Sequence, residues 1–80
     1  MAVKILIKRK FKHGNMQAAA RFVINNRSGA MKQPGYISGE TLKCVDSPGE
    51  YLVISTWDSL DDWEKWLNSQ ERKILEEVGS

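Results

Sequence analysis

The sequence predicts a single α+β domain over residues 1–80, in which helices cover one face of an antiparallel sheet. The elements run β-α-β-β-α, a split β-α-β layout without its last strand. Three observations predict it. Residues 3–11 alternate apolar and basic side chains. A helical spacing of three and four follows and halts at Pro34-Gly35. Two β-rich runs, residues 36–45 and 51–57, are then joined by the turn-forming residues 46–50, and a capped helix comes after them.

In the first run, Val3, Ile5, Ile7 and Phe11 alternate with Lys4, Lys8, Lys10 and Lys12. One face of the strand is therefore apolar and the other basic. Leu6 interrupts the basic face, which implies that part of that face is covered. Lys4, Lys8, Arg9, Lys10 and Lys12 together read as a basic strand edge. Gly14-Asn15 ends the strand region, and the Asn15 side chain is suited to accept a free first-turn N–H as a helix N-cap. Met16, Ala19, Ala20, Val23, Arg27, Ala30 and Met31 then recur on one helical face.

Pro34 biases the residue before it away from helical geometry, and Gly35 turns freely, so the helix stops there. Within the second strand, residues 36–45, Gly39 marks a bulge or a close approach. The short 46–50 turn makes a hairpin with residues 51–57, the clearest strand of the chain. Asp58 or Ser59 caps the next helix, with Asp62 three residues after Ser59 in a capping-box pattern. Leu60, Trp63, Trp66 and Leu67 form its expected inner face. Ser69 opens a further turn or short helix carrying Ile74, Leu75 and Val78.

A chain this short buries only about 60% of the surface it exposes when unfolded, and it gains from a staple or a partner. Cys44 is the single cysteine and His13 the single histidine. That composition excludes an internal disulfide and a structural zinc site, which takes about four ligands. Self-association is the support that remains. The expected partner is a second copy, packed on the sheet face that carries Leu6 and one side of the 51–57 strand.

The net charge of +2 is too weak to imply nucleic acid, and the basic strand lacks the stacking aromatics such binding needs. Residues 1–45 hold nine Lys/Arg and one acid, Glu40, whereas residues 46–80 hold three Lys/Arg and nine acids. This polarity suits steering of an anionic ligand or pairing of two subunits, but ordinary solvated faces are the favoured account of it. No apolar run approaches the ~20 residues that span a bilayer, so no membrane role is expected. With no export signal and no disulfide, the cytoplasm is the expected compartment. There is no Gly-rich phosphate loop and no Ser-His-Asp set beyond one His.

The stretch Gln33-Pro34-Gly35-Tyr36-Ile37-Ser38-Gly39-Glu40-Thr41-Leu42, then Tyr51-Leu52-Val53-Ile54-Ser55-Thr56-Trp57-Asp58-Ser59, then Trp63-Glu64-Lys65-Trp66-Leu67-Asn68-Ser69 resembles the antibiotic biosynthesis monooxygenase (ABM) family. A Pro-Gly-Tyr lead-in to a strand, a later strand ending in Trp and a helix with a second Trp before a small polar residue carry the resemblance. It covers nearly the whole chain from Val3. It implies a ferredoxin-like fold and a dimeric α/β barrel whose sheets pack face to face, with a pocket between helices and sheet in each subunit. Some members of the family are cofactor-free oxygenases of aromatic polyketides, and others degrade haem.

Two departures qualify what the resemblance implies. Family members usually finish with a fourth strand, and none is readable before Gly79-Ser80, which would leave the edge beside the first strand exposed. Haem-degrading relatives use an Asn in the first strand, a Trp in the second helix and a His about ten residues later. Trp66 matches the Trp, but Ile7 stands near the Asn position, Glu76 near the His position, and His13 lies before the first helix. Haem degradation is therefore disfavoured.

Trp66 is the first candidate for a pocket wall, with Phe22 on the facing helix and Ile7 on the first strand. Trp57 and Trp63 read more readily as core, Tyr36 and Tyr51 as strand packing, His13 as a surface residue and Cys44 as a small packed residue. No catalytic base is identifiable. The resemblance implies a monooxygenase of a small, aromatic molecule that needs neither metal nor flavin. The deprotonated substrate itself would reduce O₂, while the protein supplies a dry, shaped pocket. The alternative is a non-catalytic dimeric binding or regulatory module on the same scaffold, since a fold does not fix a function. A pocket filled by its own side chains would favour that alternative.

Overall fold

A computed structural model of the chain describes residues 1–12 and 16–79. The readings placed on His13, Gly14 and Asn15, and on the Val78 side chain, lie outside the described residues. The elements are β1 (Val3–Lys10), α1 (Met16–Met31), β2 (Tyr36–Lys43), β3 (Glu50–Trp57), α2 (Leu60–Leu67) and α3 (Gln70–Gly79). The three strands form one antiparallel sheet in the order β1-β3-β2.

Register follows from the alternation. Val3 pairs with Trp57, Ile5 with Ser55, Ile7 with Val53 and Arg9 with Tyr51, and these residues share the face that the helices cover. Lys4, Leu6, Lys8 and Lys10 share the opposite face with Leu52, Ile54 and Thr56 of β3 and with Glu40 and Leu42 of β2. Arg9 therefore does not belong to a basic edge. The two-residue period of the strand carries it to the helix side, where its charge is met by Glu76.

The turns form where backbone freedom is needed. Pro48 fixes φ at the first central position of a turn closed by Glu50 N–H to the Ser47 carbonyl at 3.1 Å, and Gly49 takes φ of 86° at the second. Gly35, at φ 87°, leads α1 into β2, and its carbonyl accepts from Asp58 N–H at 2.7 Å. The β2 bulge falls at Ile37, between Tyr36 and Ser38, and not at Gly39. Gly39 is instead a close approach, because a β-carbon there would meet the Tyr36 hydroxyl and lie 3.1 Å from the Ile54 carbonyl.

Ser59 is the α2 cap: its hydroxyl accepts Asp62 N–H at 3.2 Å and donates to the Asp62 carboxylate at 2.9 Å. Ser69 does the same service for α3 by accepting Arg72 N–H at 3.1 Å. The core joins Ala30, Trp57 and Trp66, with Val3, Ile5, Tyr36, Trp63 and Leu75 against them. Trp57 is 0% exposed, and its indole N–H is satisfied by Ser55 Oγ at 2.9 Å. Burying an indole removes about 150–250 Å² from water, on the order of 4–6 kcal/mol at about 25 cal/mol per Å².

The helix faces differ from the expected ones in three places. Met31 is 56% exposed and Leu60 52%, and Leu67 also faces solvent. Each helical step turns about 100°, so Met31 and Leu67 point away because Ala30 and Trp66, one residue earlier, point in. Leu60 is the first residue of α2, just beyond its cap. The buried face of α1 is Ala19, Val23, Asn26 and Ala30 with Gly29. Asn26 and Gly29, which the expected face does not include, are thus buried on it.

Candidate functional site

A cavity of about 40 Å³ lies between the helices and the covered face of the sheet. Ile7, Arg9, Val53 and Ser55 form its floor. Asn26, Arg27 and Ala30 of α1 form one wall, Trp63 and Trp66 of α2 another, and Tyr36 and Arg72 also line it. The α1 period brings Asn26 and Ala30 to the same side, and the Ser59 cap sets the start of the helix from which Trp63 and Trp66 project.

The polar groups of this cavity are unevenly satisfied. Asn26 donates from Nδ2 to the Phe22 carbonyl at 3.3 Å, while its buried Oδ1 has no partner. Arg27 donates from Nη2 to the Gly39 carbonyl at 2.8 Å, while its buried Nε has no partner. Glu76 reaches in from α3 and accepts two bonds from Arg9, at 2.7 and 3.3 Å. Arg72 lies 3.1 Å from the same carboxylate. Burial pushes the Arg72 guanidinium below its ordinary pKa, Glu76 opposes that shift, and Arg9 adds to it. Arg9 also stacks over the Phe22 ring at 4.9 Å and Arg72 over Trp63 at 5.7 Å.

Ile7 and Trp66 line the cavity, and Phe22 adjoins it through Arg9. Phe22 also packs edge-on against Phe11, with ring centroids 5.7 Å apart. Trp66 is 3% exposed and belongs at once to the core and to the cavity wall. Trp63 packs on Trp57 at 5.8 Å and shows its other side to the cavity. Tyr36 meets Trp57 edge-on at 5.4 Å. Sequence reasoning passes over Asn26 and Arg72 as site residues. Arg9 and Arg27 carry the available signal, being charges at positions whose periodicity points inward.

Among the described residues, no group of three or more His, Cys, Asp or Glu is placed to hold a metal ion, and no helix is long and apolar enough to cross a membrane.

The family model for antibiotic biosynthesis monooxygenases matches residues 2–75. The chain belongs to the antibiotic biosynthesis monooxygenase family. Solved structures of the same ferredoxin-like α+β fold include SnoaB, a cofactor-independent oxygenase from Streptomyces nogalater. It is 18% identical, with a TM-score of 0.83 over 96% of this chain and 78% of its own. An antibiotic biosynthesis monooxygenase structure aligns at a TM-score of 0.84 with 12% identity, covering 98% of this chain and 81% of that one. A conserved protein from Methanosarcina mazei Go1 aligns at 0.83 with 14% identity, over 96% and 76%. Protein SchA of Streptomyces halstedii is 34% identical over 38 residues, 48% of this chain. That match spans about a tenth of SchA's length. In this ABM chain Glu76 is engaged by two arginines, Arg9 and Arg72.

Proposed function

We propose that this ABM chain is a monooxygenase of a small aromatic molecule that uses neither metal nor flavin. The observation that carries the reading is the cavity between helices and sheet of an ABM fold, walled by Trp63, Trp66 and Tyr36 and holding unpaired polar atoms. Such a wall orients a flat, electron-rich ring and keeps water from it. The ring, once deprotonated, gives one electron to O₂, and the radical pair recombines at carbon. For a ring-activated CH₂ the balance is CH₂ + O₂ → C=O + H₂O, with no outside reductant. Trp66 and Ile7 shape the reacting end, and Phe22 supports it through Arg9. The working form is a homodimer joined through the sheet face that carries Leu6, Leu42, Leu52 and Ile54.

The test is O₂ consumption by the purified protein with a panel of electron-rich phenols and hydroquinones, followed together with Trp fluorescence. Fluorescence change with O₂ uptake supports the reading, and no uptake from any member of the panel overturns it. A second reading, a dimeric binding module, is favoured by the cavity's size. At about 10–15 Å³ per water, 40 Å³ holds only about three waters, so a ring enters only as the walls give. Fluorescence change without O₂ uptake would select the binding module.

A further inference from the structure

The cavity carries an electrostatic imbalance that oxygen chemistry alone does not require. Arg9, Arg27 and Arg72 line it, and Glu76 answers Arg9 and Arg72. Arg27 is bound through Nη2 to a neutral carbonyl, and its buried Nε donor is unpaired. A guanidinium is a permanent cation, and a buried donor on it left without an acceptor is costly. An ionised oxygen satisfies it most strongly. One residue earlier on α1, the Asn26 Oδ1 acceptor is buried and unpaired as well. The two open valences ask for opposite things, a negative oxygen at Arg27 and a hydrogen-bearing one at Asn26. Trp63 and Trp66 line the same cavity and offer ring surface beside these two residues.

We propose that the cavity selects an aromatic monoanion that also carries a hydroxyl, seating the ionised oxygen on Arg27 Nε, the hydroxyl on Asn26 Oδ1 and the ring against Trp63 and Trp66. This rests on reading the cavity as the substrate site. It adds the charge and the hydrogen-bonding pattern of the ligand. The uncharged counterpart of such a ligand leaves the Arg27 donor with a weaker partner, and a ligand without the hydroxyl leaves Asn26 unpaired.

The experiment is titration calorimetry of the intact protein with 4-hydroxybenzoate, its neutral isostere 4-hydroxybenzamide, and benzoate. The acid is expected to bind at least about tenfold more tightly than the amide and more tightly than benzoate. Arg27→Gln should abolish the acid-over-amide preference, and Arg27→Lys should restore part of it. Circular dichroism establishes that each variant is folded. The acid–amide comparison on the unmutated chain stands even where Arg27→Gln does not fold. Equal binding of acid and amide, no binding of any probe at millimolar concentration, or a preference that survives Arg27→Gln overturns the proposal. Oxygen uptake measured in parallel separates the two readings. Acid preference without uptake from any phenol keeps the anion site and overturns the oxygenase. Uptake from neutral substrates without acid preference keeps the oxygenase and overturns the anion site.

Discussion

Replacing Gly29 by alanine tests how closely α1 is set against the cavity wall. A β-carbon at this position would lie 2.7 Å from Trp66 Cη2, 2.9 Å from Glu71 Oε2 and 3.3 Å from Leu75 Cδ1. The Glu71 carboxylate ends a flexible, exposed side chain and swings aside at little cost. The Trp66 ring is buried among Trp57, Ala30 and Leu75 and has one direction in which to yield, into the cavity. In an unpacked helix the change from Gly to Ala would stabilise by about 1 kcal/mol. Forcing a methyl into packed surroundings costs about 1–3 kcal/mol, so the net expectation is a loss of about 1 kcal/mol. In a domain of this size that lowers Tm by about 4–8 °C. Thermal and urea melts measure it.

A double-mutant cycle makes the cause specific. Trp66→Phe withdraws the atom that the new methyl would meet, so the two substitutions should couple favourably by about 0.5–1.5 kcal/mol. The double variant is then less destabilised than the two single losses added together. A rise in Tm for Gly29→Ala, with no coupling to Trp66→Phe, would mean that α1 stands off from the indole. The two walls of the cavity would then be farther apart than the structure has them.

Three further expectations follow from the charges and the open face. Glu76→Gln leaves the half-buried Arg9 and Arg72 side by side without their counter-charge; it should destabilise by about 1–3 kcal/mol in urea melts, less than a fully buried pair because Glu76 is partly exposed. The Glu50 carboxyl is held below its ordinary 4.5, first by the hydrogen bond from Lys8 and then by Ser47. A depressed folded pKa stabilises above the unfolded value and is lost as pH falls through the folded one. The stability gap between the unmutated chain and Lys8→Met should therefore close as the medium is acidified below about pH 4, read by urea melts across pH. On the uncovered sheet face, Leu6 is 60% exposed opposite Ile54; Leu6→Lys should convert a dimer to monomer in sedimentation velocity, and a monomeric unmutated chain would refute dimerisation through this face.

The β1 pattern is legible in the sequence because a period of two has one solution once a face is buried: slipping it by one residue would send Val3, Ile5 and Ile7 to solvent. Arg9 shows what that rule outweighs. Its charge alone suggests an edge, but its register with Tyr51 puts it under the helices, and Glu76 supplies the compensation from the far end of the chain. Local pattern therefore locates the residue but not its partner. The same holds for α1, where counting hydrophobic residues includes Met31 and omits Asn26. Counting 100° steps from Val23 reaches Asn26 and Ala30 and leaves Met31 outside.

Trp66 is the hardest residue to place from sequence because core and pocket look like alternatives. They are not exclusive here. The cavity borders the core, so a ring 3% exposed can pack in the core beside Trp57 and still line the cavity. What distinguishes a site from a packing defect is then the polar content of that space. A dry packing defect is lined by apolar atoms. This one holds a guanidinium donor and an amide acceptor, on consecutive residues of α1, both without protein partners. Burying two such groups unpaired costs stability that an aliphatic pair at positions 26 and 27 would not. In the proposed reading, a ligand that meets both atoms removes that cost.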